Sequence, residues 1–368
     1  MDISRMTDGS NNWQIIHVDT AANVLDLYAK IQANLTQLQA DAGVTVPPPL
    51  TTPPVTVPPA TTIPATSGFR GIFAFNNMTQ TSLFSDNANV AGTTLTYYWS
   101  QLEPQAGVYN WALIDNDMKP WIAKGKSVIV RASTAGWKNW QPPFSEQGTP
   151  QWVLDQGVKS VKDADGSVKP QYWNTTFLSN LADFIHAFAQ RYDGNTNITC
   201  IEMGVGDGGE TKVYTEKDAG LLKSWQAIGY TDMVWFDTIQ KIVAMYTANF
   251  TKTPLALMPD ATFIGGSSGY NEQKLIQYIA DLKNTNIWIQ DNGLIANKAL
   301  PGSFSVLPKN YPILAEQRND TATSKDKLAD DLKTARNNGA VAILVFTSDL
   351  QNPANQATLA QYAALVGK

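Results

Sequence analysis

The sequence predicts an α/β fold in which eight parallel strands alternate with helices and close into a (β/α)8 barrel. From residue 68 onward, short apolar runs rich in β-branched and aromatic residues alternate with stretches of helical period, which is typical of parallel β/α units. A barrel of this kind takes about 250 residues, more with insertions, and residues 68–368 provide that length. A doubly wound sheet usually stops at five or six strands, so it is the second choice.

The individual elements follow from these runs and from the helical patterns between them. The eight predicted strands are Phe69–Phe75, Thr93–Tyr98, Lys126–Ala132, Ile198–Val205, Pro254–Pro259, Asn286–Asp291, Pro312–Gln317 and Val341–Thr347. The predicted helices are Leu113–Lys124, Thr176–Arg191, Thr231–Asn249, Glu272–Lys283, Lys325–Asn338 and Gln356–Val366.

Two segments precede the barrel. Residues 1–43 have a polar start followed by apolar residues spaced alternately three and four apart, as in the seam of a short coiled coil; these are Ala21, Val24, Tyr28, Ile31, Leu35 and Leu38. We interpret this segment as an N-terminal oligomerisation or docking helix, with an amphipathic helix lying on its own barrel as the alternative. Residues 44–67 are rich in Pro and Thr, which predicts an extended, semi-rigid linker.

Composition argues against several classes of protein. The net charge is -5 without a basic block, so the electrostatic footprint of a nucleic-acid-binding protein is missing. One cysteine and two histidines do not make an ordinary zinc site, and we expect neither a metal nor a cofactor. No signal peptide and no apolar stretch of the ~20 residues that a membrane helix needs are visible. We therefore expect no membrane contact and, unless the protein is part of a particle, a cytoplasmic location.

The most specific motif lies at the end of the second predicted strand and reads Tyr97-Tyr98-Trp99-Ser100-Gln101-Leu102-Glu103-Pro104-Gln105-Ala106-Gly107-Val108-Tyr109-Asn110-Trp111. It resembles the Glu-Pro-x-x-Gly-x-Tyr-x-Trp segment of (β/α)8-barrel glycoside hydrolases, in particular the β-galactosidase-like branch of the large retaining clan. In these families the Glu-Pro turn shapes the loop after strand two, and we therefore interpret Glu103 as a turn residue rather than a catalytic one.

The resemblance also implies where the catalytic carboxyl groups are. In this clan the acid/base lies at the end of strand four and the nucleophile at the end of strand seven, which gives Glu210 and Glu316 in this chain. Two carboxyl groups flanking one glycosidic bond are the usual requirement for its hydrolysis. The clan places Asn before the acid/base, whereas this chain has Gly209, so Asp207 and Glu202 are rivals for that role. Glu202, which lies within the strand, has the alternative of pairing with Arg131 or Arg318 inside the barrel, and Glu316 has the same alternative.

Further residues are candidates for substrate binding because the carboxyl ends of barrel strands carry the active site. Sugar rings stack on flat aromatic side chains, and strand-end polar groups bind hydroxyl groups. The candidate substrate-binding residues are Trp99, Trp137, Trp140, Asp207, Asp260, Asp291 and Arg131.

A dinucleotide fingerprint is present in form only, since Gly204-x-Gly206-x-x-Gly209 follows a strand but is not followed by a confident helix start. The simpler interpretation is that these glycines let the backbone line a pocket closely.

Together these features predict a barrel that binds or hydrolyses a glycan. The appended helix and stalk suggest a component of a phage particle that acts on cell-surface polysaccharide. The expected partners are a carbohydrate, other virion or scaffold proteins bound through residues 1–43, and further copies of the chain. The alternative is a non-catalytic structural or receptor-binding virion protein with a degenerate glycosidase fold.

Overall fold

The computed structural model describes residues 2–7, 12–17, 68–75, 81–136, 147–213, 219–259, 269–324 and 327–367. The chain forms two compact units, Met1–Val57 and Pro58–Lys368. In the first unit, strands β1 (Asp2–Thr7) and β2 (Asn12–His17) pair antiparallel, from Asp2 opposite His17 to Thr7 opposite Asn12. The sequence indicated only a polar start there. The predicted helix of residues 21–38 and the linker of residues 44–67 lie outside the described residues.

The second unit contains a closed barrel of eight parallel strands, as the sequence predicted. Each strand pairs with its neighbours in chain order, and the last strand pairs with the first. The barrel strands are β3 (Gly71–Phe75), β4 (Gly92–Tyr98), β5 (Ser127–Ser133), β8 (Ile198–Glu202), β9 (Leu255–Leu257), β10 (Ile287–Leu294), β11 (Ile313–Gln317) and β12 (Ala340–Phe346). All eight predicted strands are therefore confirmed.

Helices connect the strands. They are α1 (Trp99–Leu102), α2 (Ala112–Ile122), α3 (Gln151–Leu154), α4 (Thr175–Tyr192), α5 (Ala219–Ala227), α6 (Asp232–Asn249), α7 (Glu272–Asp281), α8 (Thr321–Ser324), α9 (Leu328–Asn337), α10 (Thr347–Gln351) and α11 (Gln356–Ala363). The six predicted helices correspond to α2, α4, α6, α7, α9 and α11. A hairpin of strands β6 (Ser160–Lys162) and β7 (Val168–Pro170) was not predicted, because three-residue strands are too short to show a periodic pattern.

Local sequence explains where the longest helices begin and which face they bury. The Asn174 side chain accepts hydrogen bonds from the backbone N–H groups of Thr176 and Phe177, which caps α4. Thr231 caps α6 in the same way through the N–H of Val234. Such caps satisfy N–H groups that have no partner within the helix. Buried apolar residues of α4 recur at helical spacing, and α4 packs against α6.

The inside of the barrel begins with an apolar layer. Its side chains come from alternate residues of the strands and form a cluster separate from the core between strands and helices; they include Phe73, Ile129, Cys200, Ala256, Trp288, Leu314 and Leu344. Because successive residues of a strand point to opposite faces, the residue two positions further toward the carboxyl end also faces inward. This alternation determines which side chains line the barrel mouth.

Candidate active site

The next inward layer of the barrel is polar. Two residues beyond Ile129, Cys200, Trp288 and Leu314 the strands carry Arg131, Glu202, Gln290 and Glu316. Arg131, Glu202 and Glu316 lie at or near the carboxyl ends of their strands, where barrel enzymes place their active groups. Gln290 lies within β10 and pairs in register with Leu314 of β11. The site is therefore assembled from the third, fourth, sixth and seventh barrel strands.

Arg131 and Glu202 form the fixed charge pair of this layer. The two residues are partners in the register between β5 and β8, and Arg131 Nε lies 3.2 Å from Glu202 Oε2, with both side chains buried. Arg131 Nη1 also donates to the carbonyl oxygen of Gly208 at 2.6 Å. The pairing of Glu202 with Arg131, one of the alternatives raised by the sequence, is confirmed, and Arg131 contacts protein groups on several sides.

The glycine-rich turn after β8 positions Glu210. Gly208 and Gly209 have φ angles of 64° and 88°, a region that residues with a side chain rarely adopt. A Cβ atom on Gly209 would lie 2.7 Å from Arg131 Cδ and 2.8 Å from Met258 Cε. A side chain here would adopt a strained backbone conformation and displace Arg131 or Met258, which is a physical reason for Gly209 at the position where the resembling clan has Asn.

The same explanation covers the other glycines of the apparent dinucleotide fingerprint. Added Cβ atoms would lie 1.9 Å from the Ala132 carbonyl oxygen at Gly204 and 2.2 Å from the Lys212 carbonyl oxygen at Gly206. Close approach of backbone segments therefore accounts for these glycines.

Glu210 is half-buried and contacts polar side chains at the mouth. Lys212 Nζ forms an ion pair with Glu210 Oε2, and Asn292 Nδ2 donates to Glu210 Oε1 at 2.7 Å. An ammonium group in contact with a carboxylate favours its charged form. The contacts therefore favour an ionised Glu210 in the unliganded protein.

Glu316 is also half-buried, but its surroundings favour the protonated form. Gln290 Nε2 donates to Glu316 Oε2 at 2.8 Å. Burial raises the pKa of the Glu316 carboxyl well above its usual range, and the charges of Glu202 and Glu210 raise it further, against opposing effects of Arg131 and the Gln290 hydrogen bond. The structure thus brings Glu210 and Glu316 into one electrostatic site.

A buried lysine supports the turn that carries Glu210. Lys169 of β7 is 1% exposed; its Nζ forms an ion pair with Asp207 and donates to the carbonyl oxygen of Gly136 at 2.6 Å. Asp163 Oδ2 lies 3.5 Å from the same Nζ, and burial raises the pKa of Asp163 to about 6. Asp207 is itself 1% exposed. The carboxylate of Asp207 is therefore enclosed by protein and paired with Lys169, and its expected role in substrate binding stays a prediction.

Trp99 also has a structural position. Its ring is fully buried against Trp152, Phe177 and Phe184 in the shell of helices, and its Nε1 donates to Glu103 Oε2 at 2.7 Å. Glu103 Oε1 accepts from the N–H of Gly107 at 2.8 Å, as expected for a turn residue. The structure places Trp99 at the start of α1 among the surrounding helices, and its expected role in substrate binding stays a prediction.

Asp291 faces the shell as well. It lies between the inward residues Gln290 and Asn292 and is opposite Ala315, a residue of the outer core. Asp291 is buried and its Oδ1 accepts from the N–H of Gly293 at 3.1 Å. The pleat of the strand turns Asp291 away from the cavity, and its expected substrate contact stays a prediction. Trp137, Trp140 and Asp260 lie outside the described residues.

Four residues near the site were missed by the sequence analysis, namely Lys169, Lys212, Gln290 and Asn292. The last two had a readable signal, because counting alternate residues of β10 from the apolar layer places both amides inside. An aromatic pair at the mouth was missed too: Phe75 and Phe346 end neighbouring strands with ring centroids 5.3 Å apart.

Within the part of the chain that the structure describes, no group of three or more metal-ligating side chains and no helix long and apolar enough to span a membrane occurs.

Comparisons with known proteins agree with this architecture. Residues 80–250 match the model of glycoside hydrolase family 42, described as β-galactosidase. No curated protein sequence matches the chain.

Among solved structures, the chain is similar to the catalytic domain of β-amylase from Paenibacillus polymyxa, with 11% identity, a TM-score of 0.56, and coverage of 81% of this chain and 98% of that one. It also matches β-galactosidase from Marinomonas ef1, with 12% identity, a TM-score of 0.49, and coverage of 80% and 59%. The chain thus has the (β/α)8 barrel fold, and its segment from β4 to α6 is similar to a family of glycoside hydrolases.

Proposed function

We propose that the barrel hydrolyses a glycosidic bond, with Glu210 and Glu316 as its two catalytic carboxyl groups. One observation carries the proposal: Glu210, in the turn after the fourth strand, and Glu316, on the seventh strand, accept hydrogen bonds from two amides of β10 at the same barrel mouth. The segment that matches a glycoside hydrolase family contains Glu210. Hydrolysis needs a carboxylic acid to protonate the leaving oxygen and a carboxylate to attack the anomeric carbon or to activate water.

The division of roles is open to a direct test. The family resemblance implies that Glu210 is the acid/base and Glu316 the nucleophile. In the unliganded site, however, burial favours the proton on Glu316 and Lys212 favours an ionised Glu210. These contacts support Glu316 as the proton donor, since a donor must hold its proton at the working pH.

The first experiment measures sugar release from a panel of polysaccharides and nitrophenyl glycosides by the wild type, Glu210→Gln and Glu316→Gln. Asp237→Asn, which changes an exposed carboxylate on α6, is the control. We expect both glutamine variants to lose at least about 10²-fold in kcat/KM, as loss of an acid or base usually causes, and the control to remain active. Release that is unchanged by a substitution would remove that residue from the mechanism.

The leaving group then assigns the roles. A dinitrophenol departs without protonation, so loss of the proton donor affects its glycosides much less than those of poor leaving groups. We expect this pattern for Glu316→Gln. The same pattern for Glu210→Gln would restore the assignment that the resemblance implies.

The second candidate is a non-catalytic glycan-binding protein. The ion pair between Lys212 and Glu210 favours it, because it ties up one of the two carboxylates. Binding of a polysaccharide without release of sugar by the wild type would support this function and contradict the first.

For the appended segment we propose attachment to a phage particle through residues 1–43, with further copies of the chain as partners. The support is the sequence alone, namely the apolar seam at residues 21–38 and the proline-rich stretch after it. Sedimentation of the full chain and of an Ile31→Glu/Leu35→Glu variant tests the oligomer. A wild type that sediments as a monomer and binds no particle protein contradicts the proposal.

A further inference from the structure

The sixth barrel strand carries two amide side chains on its inner face. Gln290 and Asn292 are separated by one residue, and Trp288 before them belongs to the apolar layer inside the barrel. Side chains two residues apart on one strand project from the same face at a spacing of about 6.6 Å along the strand. Gln290 is fully buried and Asn292 is half-buried.

Each amide donates a hydrogen bond to a different one of the two strand-end glutamates. Gln290 Nε2 lies 2.8 Å from Glu316 Oε2, and Asn292 Nδ2 lies 2.7 Å from Glu210 Oε1. The two carboxyl groups come from the seventh strand and from the turn after the fourth strand. β10 therefore contacts both of them.

The backbone of β10 is built to hold these positions. It pairs with β9 on one side and β11 on the other, and its register with β11 shifts between Asp291 and Leu294. Such bulges redirect a side chain and recur next to active sites. The Asp291 carboxylate accepts the N–H of Gly293 inside this irregularity, which supports the conformation that directs Asn292 toward Glu210.

We propose that Gln290 and Asn292 are positioning residues that set the separation of Glu210 and Glu316 from one rigid strand. An amide suits this task because it offers N–H donors and does not titrate, so it orients each carboxyl without adding a charge to a site that already holds Glu202. The inference rests on the proposed function, since it assigns a role in the same reaction.

The test replaces each amide by an apolar residue of similar shape, in Gln290→Met and Asn292→Leu. The control is Ile289→Val, on the opposite face of the same strand and in the outer core. We expect kcat to fall about 10- to 100-fold in each amide variant, as misplacement of a catalytic group causes, with KM changed less than about threefold. Rescue of part of the loss in Gln290→Asn or Asn292→Gln is expected from a positioning role, because these variants keep the donor.

The pH dependence separates this role from a merely structural one. A hydrogen bond donated to a carboxylate favours the ionised form, so its loss raises the pKa of that carboxyl. In the pH profile of kcat/KM, the inflection caused by titration of Glu316 moves to higher pH in Gln290→Met. The inflection caused by titration of Glu210 moves to higher pH in Asn292→Leu. Carboxyl-carbon NMR titration, with signals assigned through Glu210→Gln and Glu316→Gln, reads the same shifts without any substrate.

The two readouts distinguish failure of this inference from failure of the proposed function. If the amide variants shift the carboxyl pKa values in the NMR titration but the wild type cleaves no glycoside, the amide contacts are supported and the proposed hydrolysis is overturned. The role of Gln290 and Asn292 is overturned if the wild type cleaves glycosides and both amide variants have the same kcat, the same pH profile and the same NMR titration as the wild type.

Discussion

Lys169 and Asp207 form an ion pair in which each side chain is 1% exposed. Lys169 belongs to the β6–β7 hairpin and Asp207 to the turn after β8, three residues before Glu210. A connection that leaves the barrel after the third strand is therefore fastened to the loop of the fourth strand by one buried charge pair.

Lys169→Met leaves the buried carboxylate of Asp207 without its cation, with Asp163 close by. Removing one partner of a buried ion pair costs about 3–5 kcal/mol, so the free energy of unfolding in denaturant falls by that amount. The double variant Lys169→Met/Asp207→Asn has no uncompensated charge from this pair. Its free energy of unfolding therefore recovers most of the decrease seen in Lys169→Met. Equal stability of the single and double variants would show that the pair carries no such energy.

Glu316→Gln stabilises the protein at neutral pH. Folding raises the pKa of Glu316 above its ordinary value of 4.5. At pH values between the unfolded and the folded pKa of Glu316, the folded chain holds a proton that the unfolded chain has lost. The free energy of unfolding therefore decreases as the pH rises through this range. The variant therefore melts a few degrees above the wild type at pH 8 and together with it near pH 4, in calorimetry at both pH values. A difference that is the same at both pH values contradicts the assignment to Glu316.

Gly209→Ala disrupts the turn that presents Glu210. The φ angle is 88°, and the new Cβ lies too close to Arg131 and Met258. Gly339→Ala is a matched control, since its φ is 87° and nothing lies within 4 Å of an added Cβ.

Backbone strain of about 1–3 kcal/mol is expected in both glycine variants. A further loss of stability and a fall in kcat are expected for Gly209→Ala alone. Thermal melting together with a glycosidase assay measures both effects, and identical behaviour of the two variants would rule out the steric argument.

Glu103→Ala lowers stability but not catalysis. The substitution leaves the buried Trp99 Nε1 without its acceptor, at a cost of about 1–3 kcal/mol for an unsatisfied buried group. The Gly107 N–H also loses its acceptor, but it lies in an exposed turn where water can replace it. The kcat/KM per folded molecule stays at the wild-type value at a temperature well below the melting midpoint. A loss of turnover without a loss of stability would return Glu103 to the catalytic candidates.

The barrel was predictable because its strands are buried on both faces and show as continuous apolar runs, such as Ala340–Phe346. The position of Glu210 and Glu316 near the carboxyl ends of the fourth and seventh strands was predictable, because both acids follow apolar strand runs in the sequence. Lys169 was not, because it lies on a three-residue strand inside a long connection and its partner is 38 residues away. Asp291 drew attention as an acid between two amides, yet the pleat of β10 turns Gln290 and Asn292 toward the site and Asp291 away from it.

The contact between Trp99 and Glu103 has a consequence for how such chains are classified. This pair and the turn around it serve folding, so selection for a stable barrel preserves them whether or not sugar is cleaved. A genome survey based on that signature will therefore collect working hydrolases together with relatives that have lost turnover. Sorting them requires inspection of the residues equivalent to Glu210, Gln290, Asn292 and Glu316.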